Sequence, residues 1–174
     1  MKTELVELPI TTSDGIFLAH YSEEGLAELD FPHADGLVDP KHAVRRRAVN
    51  SKQVPLKILQ WHRTTTQALK NVLAGRAAKP LPPLDLTGKT EFQKSVWRTM
   101  LKLGPGKTRS YGEIAALIGH PRAMRAVGSA CGANPIPLLI PCHRILAAGG
   151  KIGGYGSGLD RKRRLLANEG IKFK

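Results

Sequence analysis

Ten residues constrain this chain more than any others: Pro135-Ile136-Pro137-Leu138-Leu139-Ile140-Pro141-Cys142-His143-Arg144. Three prolines pin a run apolar enough to require burial, and a thiol and an imidazole follow at once. The thiolate is the nucleophilic form of cysteine, and apolar surroundings raise a thiol's pKa unless a base takes its proton. His143 is a candidate for that base, with a carboxylate elsewhere to orient it. Neighbouring side chains diverge in a regular strand or helix. Joint action of Cys142 and His143 therefore needs an irregular turn, which Pro141 helps to fix. Such a dipeptide alone more often marks a core cysteine beside a satisfied histidine.

Charge divides the chain sharply. Residues 1–90 carry 12 Lys+Arg against 10 Asp+Glu, whereas residues 91–174 carry 15 against 4. Such asymmetry points to a polyanionic partner, nucleic acid before anionic lipid. No apolar stretch reaches the ~18 residues of a membrane span. Met1-Lys2-Thr3-Glu4 lacks the apolar core of a secretory signal. With two cysteines, 131 and 142, able to form at most one disulfide, a reducing, intracellular (cytoplasmic) setting is expected.

The fold expected is mixed α/β (α+β). A small N-terminal antiparallel sheet with a helix occupies 1–88, and a mostly helical half with a helix-turn-helix occupies 89–174. Thr3–Ile10, Gly15–Tyr21 and Gly25–Phe31 read as strands of a meander, the first two parted by a turn at Ser13-Asp14-Gly15. His33 to Asn50 reads as loop with at most one helical turn, its Arg45-Arg46-Arg47 a solvated face. Thr65 or Thr66 is expected to cap a helix through Leu73 that ends near Gly75. The proline-rich stretch 80–88 is expected to hold an edge strand and then the linker.

Beyond residue 88 the pattern turns helical. Thr90 caps a helix with Phe92, Val96, Met100 and Leu103 on one stripe. Ser110-Tyr111-Gly112-Glu113 is a capping box opening a helix to Ile118. A second helix, from about Arg122 to Ala133, follows a Gly-His-Pro turn and suggests a helix-turn-helix. Its residues Ala123, Ala126, Gly128, Ser129, Ala130 and Gly132 leave it nearly bald, without the side chains that read base edges. Small residues allow close approach to a groove, or equally to another helix. Six glycines between 149 and 158 make a permissive loop. Asp160 is expected to cap a last helix to Glu169, whose basic first turn opposes the helix dipole and so faces an anionic partner.

Together these stretches resemble the O6-alkylguanine-DNA alkyltransferase family. The resemblance runs from Thr87 to Gly170 and rests on Pro141-Cys142-His143-Arg144, Ser110 to Glu113, Arg125-Ala126-Val127-Gly128, Asn134-Pro135 and Gly154-Tyr155-Gly156. It implies a ribonuclease-H-like N-terminal domain and suicide repair of alkylated double-stranded DNA. An O6-alkylguanine, or O4-alkylthymine, would be flipped out of the stack and its alkyl group moved irreversibly to Cys142. His143 then resembles the base, acting through a bound water, with Glu169 orienting it. Asn134 resembles the brace of the turn, and Tyr111 the donor to the departing oxygen. Arg125 resembles the finger that fills the vacated stack, on a DNA-binding surface of Ala123, Ala126, Gly128, Ser129 and Gly132. Pro137, Tyr155, Gly156 and Ser157 would line the base pocket.

The chemistry suits these residue types. Displacement at the alkyl carbon needs a thiolate, and a phenol stabilises the charge growing on oxygen. Some relatives carry an N-terminal structural zinc held by cysteines. Here no cysteine precedes residue 131, so no metal is expected, and no cofactor. Cys131 is read as small packing. A monomer in solution is expected, with several copies along DNA also compatible. Two other classes compete: a Cys-His hydrolase with repeated turnover, and a helix-turn-helix regulator selective for one operator.

Overall fold

The computed structural model describes residues 5–32 and 54–174. The loop expected over 33–50, with its three arginines, lies outside the described residues. The meander is present: β1 (Val6–Thr12), β2 (Gly15–Tyr21) and β3 (Leu26–Asp30) pair antiparallel in that order. Ile10 faces Phe17 across the first pair, and both are buried.

Helix α1 (Leu56–Leu73) covers that sheet with Ile58, Ala68, Leu69 and Val72. It begins after Pro55, about three turns before the expected start at Thr65 or Thr66. The reason is local. Thr64, Thr65 and Thr66 donate their hydroxyls to the carbonyls of Gln60, Trp61 and His62 at 3.1, 2.8 and 2.8 Å. Threonines bonded back one turn sit inside a helix, not at its start. The edge strand expected over 80–88 shrinks to one bridge between Leu26 and Leu84. Leu26 N–H donates to Pro83 O and Asp85 N–H to Leu26 O, each at 2.8 Å; Pro82 and Pro83 lack the donors to extend the ladder.

Helix α2 (Glu91–Leu101) carries the full Thr90/Gln93 capping box and buries Val96, Trp97 and Met100. Helix α3 (Tyr111–Leu117) opens on the Ser110/Glu113 box. Helix α4 (Met124–Gly132) starts later than expected. Arg122 and Ala123 belong to the preceding turn, where Ala123 N–H donates to His120 O at 2.8 Å. The three helices pack on one another, and Trp97 Nε1 donates to Ala130 O at 2.9 Å, tying α2 to α4.

A parallel ribbon that the sequence reading missed joins β4 (Arg109–Ser110) to β5 (Ile145–Leu146). Two-residue strands carry too little pattern to read. It sets the first residue of α3 beside the Cys-His turn. The last helix, α5 (Leu159–Asn168), begins at Gly158 with no side-chain cap. Asp160 lies inside the first turn and pairs with Arg163 at 2.8 Å, so it is not the expected cap. One buried apolar cluster runs from Ile10 of the sheet through Trp97 and Ile140 to Leu165.

Candidate functional site

Asn134 builds the turn that presents the thiol. Its Oδ1 accepts from Ile136 N–H at 3.0 Å and its Nδ2 donates to Ile140 O at 2.9 Å, clamping both ends of the apolar run. Between them Leu138 is buried at φ 73, a left-handed conformation costly for a bulky residue. The chain leaves this turn as a short 3-10 segment, Cys142–Arg144, with all three side chains buried. The irregular geometry that joint action of Cys142 and His143 demands is therefore present.

His143 Nε2 lies 3.0 Å from Glu169 Oε1. Burial pushes the Glu169 carboxyl up, but hydrogen bonds from His143 and Arg144 outweigh it and hold it down at about 2. An ionised carboxylate only accepts, so Nε2 carries the imidazole proton and Nδ1 presents a lone pair. Burial lowers His143 against the opposing pull of Glu169, keeping the ring neutral. Nδ1 is buried without a hydrogen-bond partner among the described residues. This is the electronic state of a base waiting for a proton.

Cys142 is buried, and burial raises its thiol; the Asn134 amide and the Lys162 ammonium pull the other way. A protonated thiol beside a bare imidazole nitrogen is an uncharged pair, which a dry site tolerates until a reaction draws the proton across.

Two members of this network escaped the sequence reading. Arg144 forks onto Glu169, with Nε at 3.0 and 2.9 Å from the two oxygens and Nη2 at 2.8 Å from Oε1, and it also donates to Leu103 O. Gly106 N–H adds a bond to Glu169 Oε2 at 3.1 Å. Lys162 was expected among cations facing a partner, yet it is fully buried. Its Nζ donates to Ile145 O at 2.7 Å and Gly154 O at 3.1 Å, joining the Cys-His turn to the glycine-rich loop. Burial drives its pKa down to about 8, against the pull of Cys142 and Cys131. A signal was available: Lys162, Leu165, Leu166 and Glu169 fall at helical spacing on one inward face.

A cleft of about 740 Å³ opens over the thiol, with Cys142, Asn134, Gly132, Pro137, Tyr155, Gly156 and Ser157 on its walls. Tyr155 Oη and Ser157 Oγ are buried there. Cys131, a free thiol raised to about 12 by burial, also lines the cleft. Tyr111 is the first residue of α3 and does not line the cleft; its hydroxyl packs against Gly153, where a side chain would lie 3.3 Å from it. Burial raises its pKa, and the cysteine charges add to that. Outside the cleft, Arg125, Ala126 and Ser129 are exposed on α4 with Gly128 half-buried, and Ala123 is half-buried in the turn before it; Gly132, on the cleft wall, is exposed as well.

Residues 91–171 match a family profile described as the DNA binding domain of 6-O-methylguanine DNA methyltransferase. The chain is 59% identical over 86 residues to the methylated-DNA–protein-cysteine methyltransferase of Mycolicibacterium paratuberculosis, a match covering 49% of this chain and 52% of that relative. That match thus spans about half the relative's length. Against the protein of the same name from Methanosarcina barkeri, identity is 37% over 169 residues, 97% of each chain. The chain belongs to the methylated-DNA–protein-cysteine methyltransferase family. The crystal structure of Mycobacterium tuberculosis OGT in complex with DNA superposes with a TM-score of 0.68 at 35% identity, over 92% of this chain and 90% of that one. The family's fold, a small antiparallel sheet with helices, is the fold described above.

Proposed function

We propose that this protein repairs DNA by moving an alkyl group from O6 of a flipped guanine, or from O4 of a flipped thymine, onto its own Cys142. The observation that carries the reading is the pairing of a buried thiol with a neutral imidazole whose free nitrogen is set by an ionised Glu169. The Cys142 proton passes to His143 Nδ1 through a water, and the imidazolium is stabilised by Glu169. The sulfur then attacks the alkyl carbon, an S–C bond forms, and the C–O bond breaks with its electron pair on the base. The donor to that oxygen is Tyr111, whose hydroxyl lies at Gly153, beside the cleft and not on its wall. Because the thioether is stable, the protein acts once.

Flipping a base costs a few kcal/mol. Arg125, exposed on the nearly bald α4, fills the vacated stack, while Ala123, Ala126, Gly128, Ser129 and Gly132 let the helix approach duplex DNA of any sequence. A relative solved with DNA supports that partner. Among the described residues no helix is long and apolar enough to cross a membrane.

Intact-mass analysis after incubation with methylated duplex DNA tests the reading. One methyl of added mass on the Cys142 peptide is expected, and Cys142→Ser should abolish it while DNA binding survives. Sustained turnover with Cys142 unmodified would reject the proposal in favour of a hydrolase.

A further inference from the structure

The cleft has more room than a methyl group needs, so what narrows it decides which substituents reach the thiol. One wall comes from outside the helical half. Phe31, just past the end of β3, and Pro32 border the cleft. Phe31 packs on Phe17 of the sheet core with ring centroids 5.8 Å apart and meets Tyr155 edge-on at 6.3 Å. The wall is therefore rooted in the sheet and touches the base pocket directly.

Arg161, from the first turn of α5, lies across this wall. Its guanidinium sits 4.4 Å from the Phe31 ring centroid, and Nη2 donates to Pro32 O at 3.3 Å. It borders the same cleft as Cys142. A half-exposed cation–π contact and one long hydrogen bond are weak restraints on a flexible side chain. They hold it in place until something competes for the aromatic face.

We propose that Arg161, resting on Phe31, is the specificity-determining side chain that limits how bulky an O6 substituent can approach Cys142. The inference rests on the alkyl-transfer reading and adds a selectivity element to it. A methyl group leaves Arg161 undisturbed. A benzyl group must displace the guanidinium from the ring, and that cost appears in its transfer and not in methyl transfer. Truncating Arg161 removes the cost, and so does removing Phe31, its platform.

The test uses full-length protein and free bases, so that any effect of Arg161 on DNA binding does not enter. Rates of Cys142 alkylation by O6-benzylguanine and O6-methylguanine are measured and expressed as a ratio. Arg161→Ala and Phe31→Ala should each raise the benzyl-to-methyl ratio by about tenfold, the scale at which pockets discriminate by size. Arg161→Lys retains a cation for the ring and should keep the wild-type ratio. A ratio unchanged or lowered in Arg161→Ala overturns the proposal, and a purely structural role would slow both bases equally. Wild-type protein that takes no methyl from methylated duplex DNA would overturn the alkyl-transfer reading, and the size limit with it.

Discussion

At the scale of single residues, the position of Lys162 changes the reading most. A cation expected on a DNA-facing surface instead sits buried beside two thiols, with its charge lost above about pH 8. Below that pH it favours the Cys142 thiolate; above it that help fades. Lys162→Met should therefore raise the Cys142 pKa and slow alkylation near neutrality, checked by following iodoacetamide labelling of Cys142 against pH. The substitution also changes stability. A lysine lowered by folding leaves the unfolded chain holding more protons between pH 8 and its ordinary value, so the wild type gains stability from this group as pH rises through that window. Denaturant titrations at pH 7 and 9 should show Lys162→Met losing that gain. At this scale the sequence displayed Cys142 and His143 plainly because they are adjacent. It concealed Lys162 because a lysine in a run of four cations, Arg161 to Arg164, looks solvated until the helix face is known.

Elements bring the distant partners together. Helix α5 buries Leu165 and Leu166 and thereby carries Glu169, one residue past its end, to a turn 26 positions earlier in the chain. The ionised carboxylate, held by His143, Arg144 and Gly106 N–H, is a stability feature as well as an orienting one. Its pKa is lowered on folding, so its contribution is complete above the ordinary glutamate range and is lost as pH falls from about 4.5 through about 2. Urea unfolding of Glu169→Gln should show a flatter pH dependence than wild type across that interval. Arg144→Ala leaves the carboxylate buried with one partner fewer and should cost about 3–5 kcal/mol in the same measurement at pH 7. The capping boxes at Thr90 and Ser110 were legible because their signature is local. The true start of α1 was not, because threonine hydroxyls serve a cap and an i−4 back-bond equally well until the backbone decides.

Over the whole molecule, the N-terminal half reaches the site at several points: Leu29 N–H donates to Pro135 O at 2.9 Å, Phe31 borders the cleft, and the end of α1 meets the residue before Glu169. Gly75 lies at φ 71, so close to the Asn168 carbonyl that a side chain there would collide with it, and Asn168 Nδ2 donates to Leu73 O at 2.9 Å. Asn168 immediately precedes Glu169. Gly75→Ala combines a left-handed strain with that collision and should lower stability by about 1–3 kcal/mol. It should also slow Cys142 alkylation, through displacement of Glu169. Thermal melts and labelling rates on one preparation check both. The excess positive charge beyond residue 90 predicts that binding to unmodified duplex DNA weakens steeply and log-linearly with salt. A fluorescence-anisotropy series over salt concentration measures that slope.

Short-range pattern alone was enough for the meander, from its alternation and turns, and for the starts of α2 and α3, from their capping boxes; the proposed nucleophile likewise rests on the local Pro-Cys-His-Arg motif, and the proposed polyanionic partner on the charge split. Packing in three dimensions settled which cations face solvent, that Arg144 and Glu169 share a buried network, that a two-residue ribbon sets Tyr111 beside the thiol's turn, and that Phe31 borders the cleft. The physical reason is reach. Periodicity and capping are written over a few neighbouring residues, whereas burial of a charge depends on a partner that packing alone brings near.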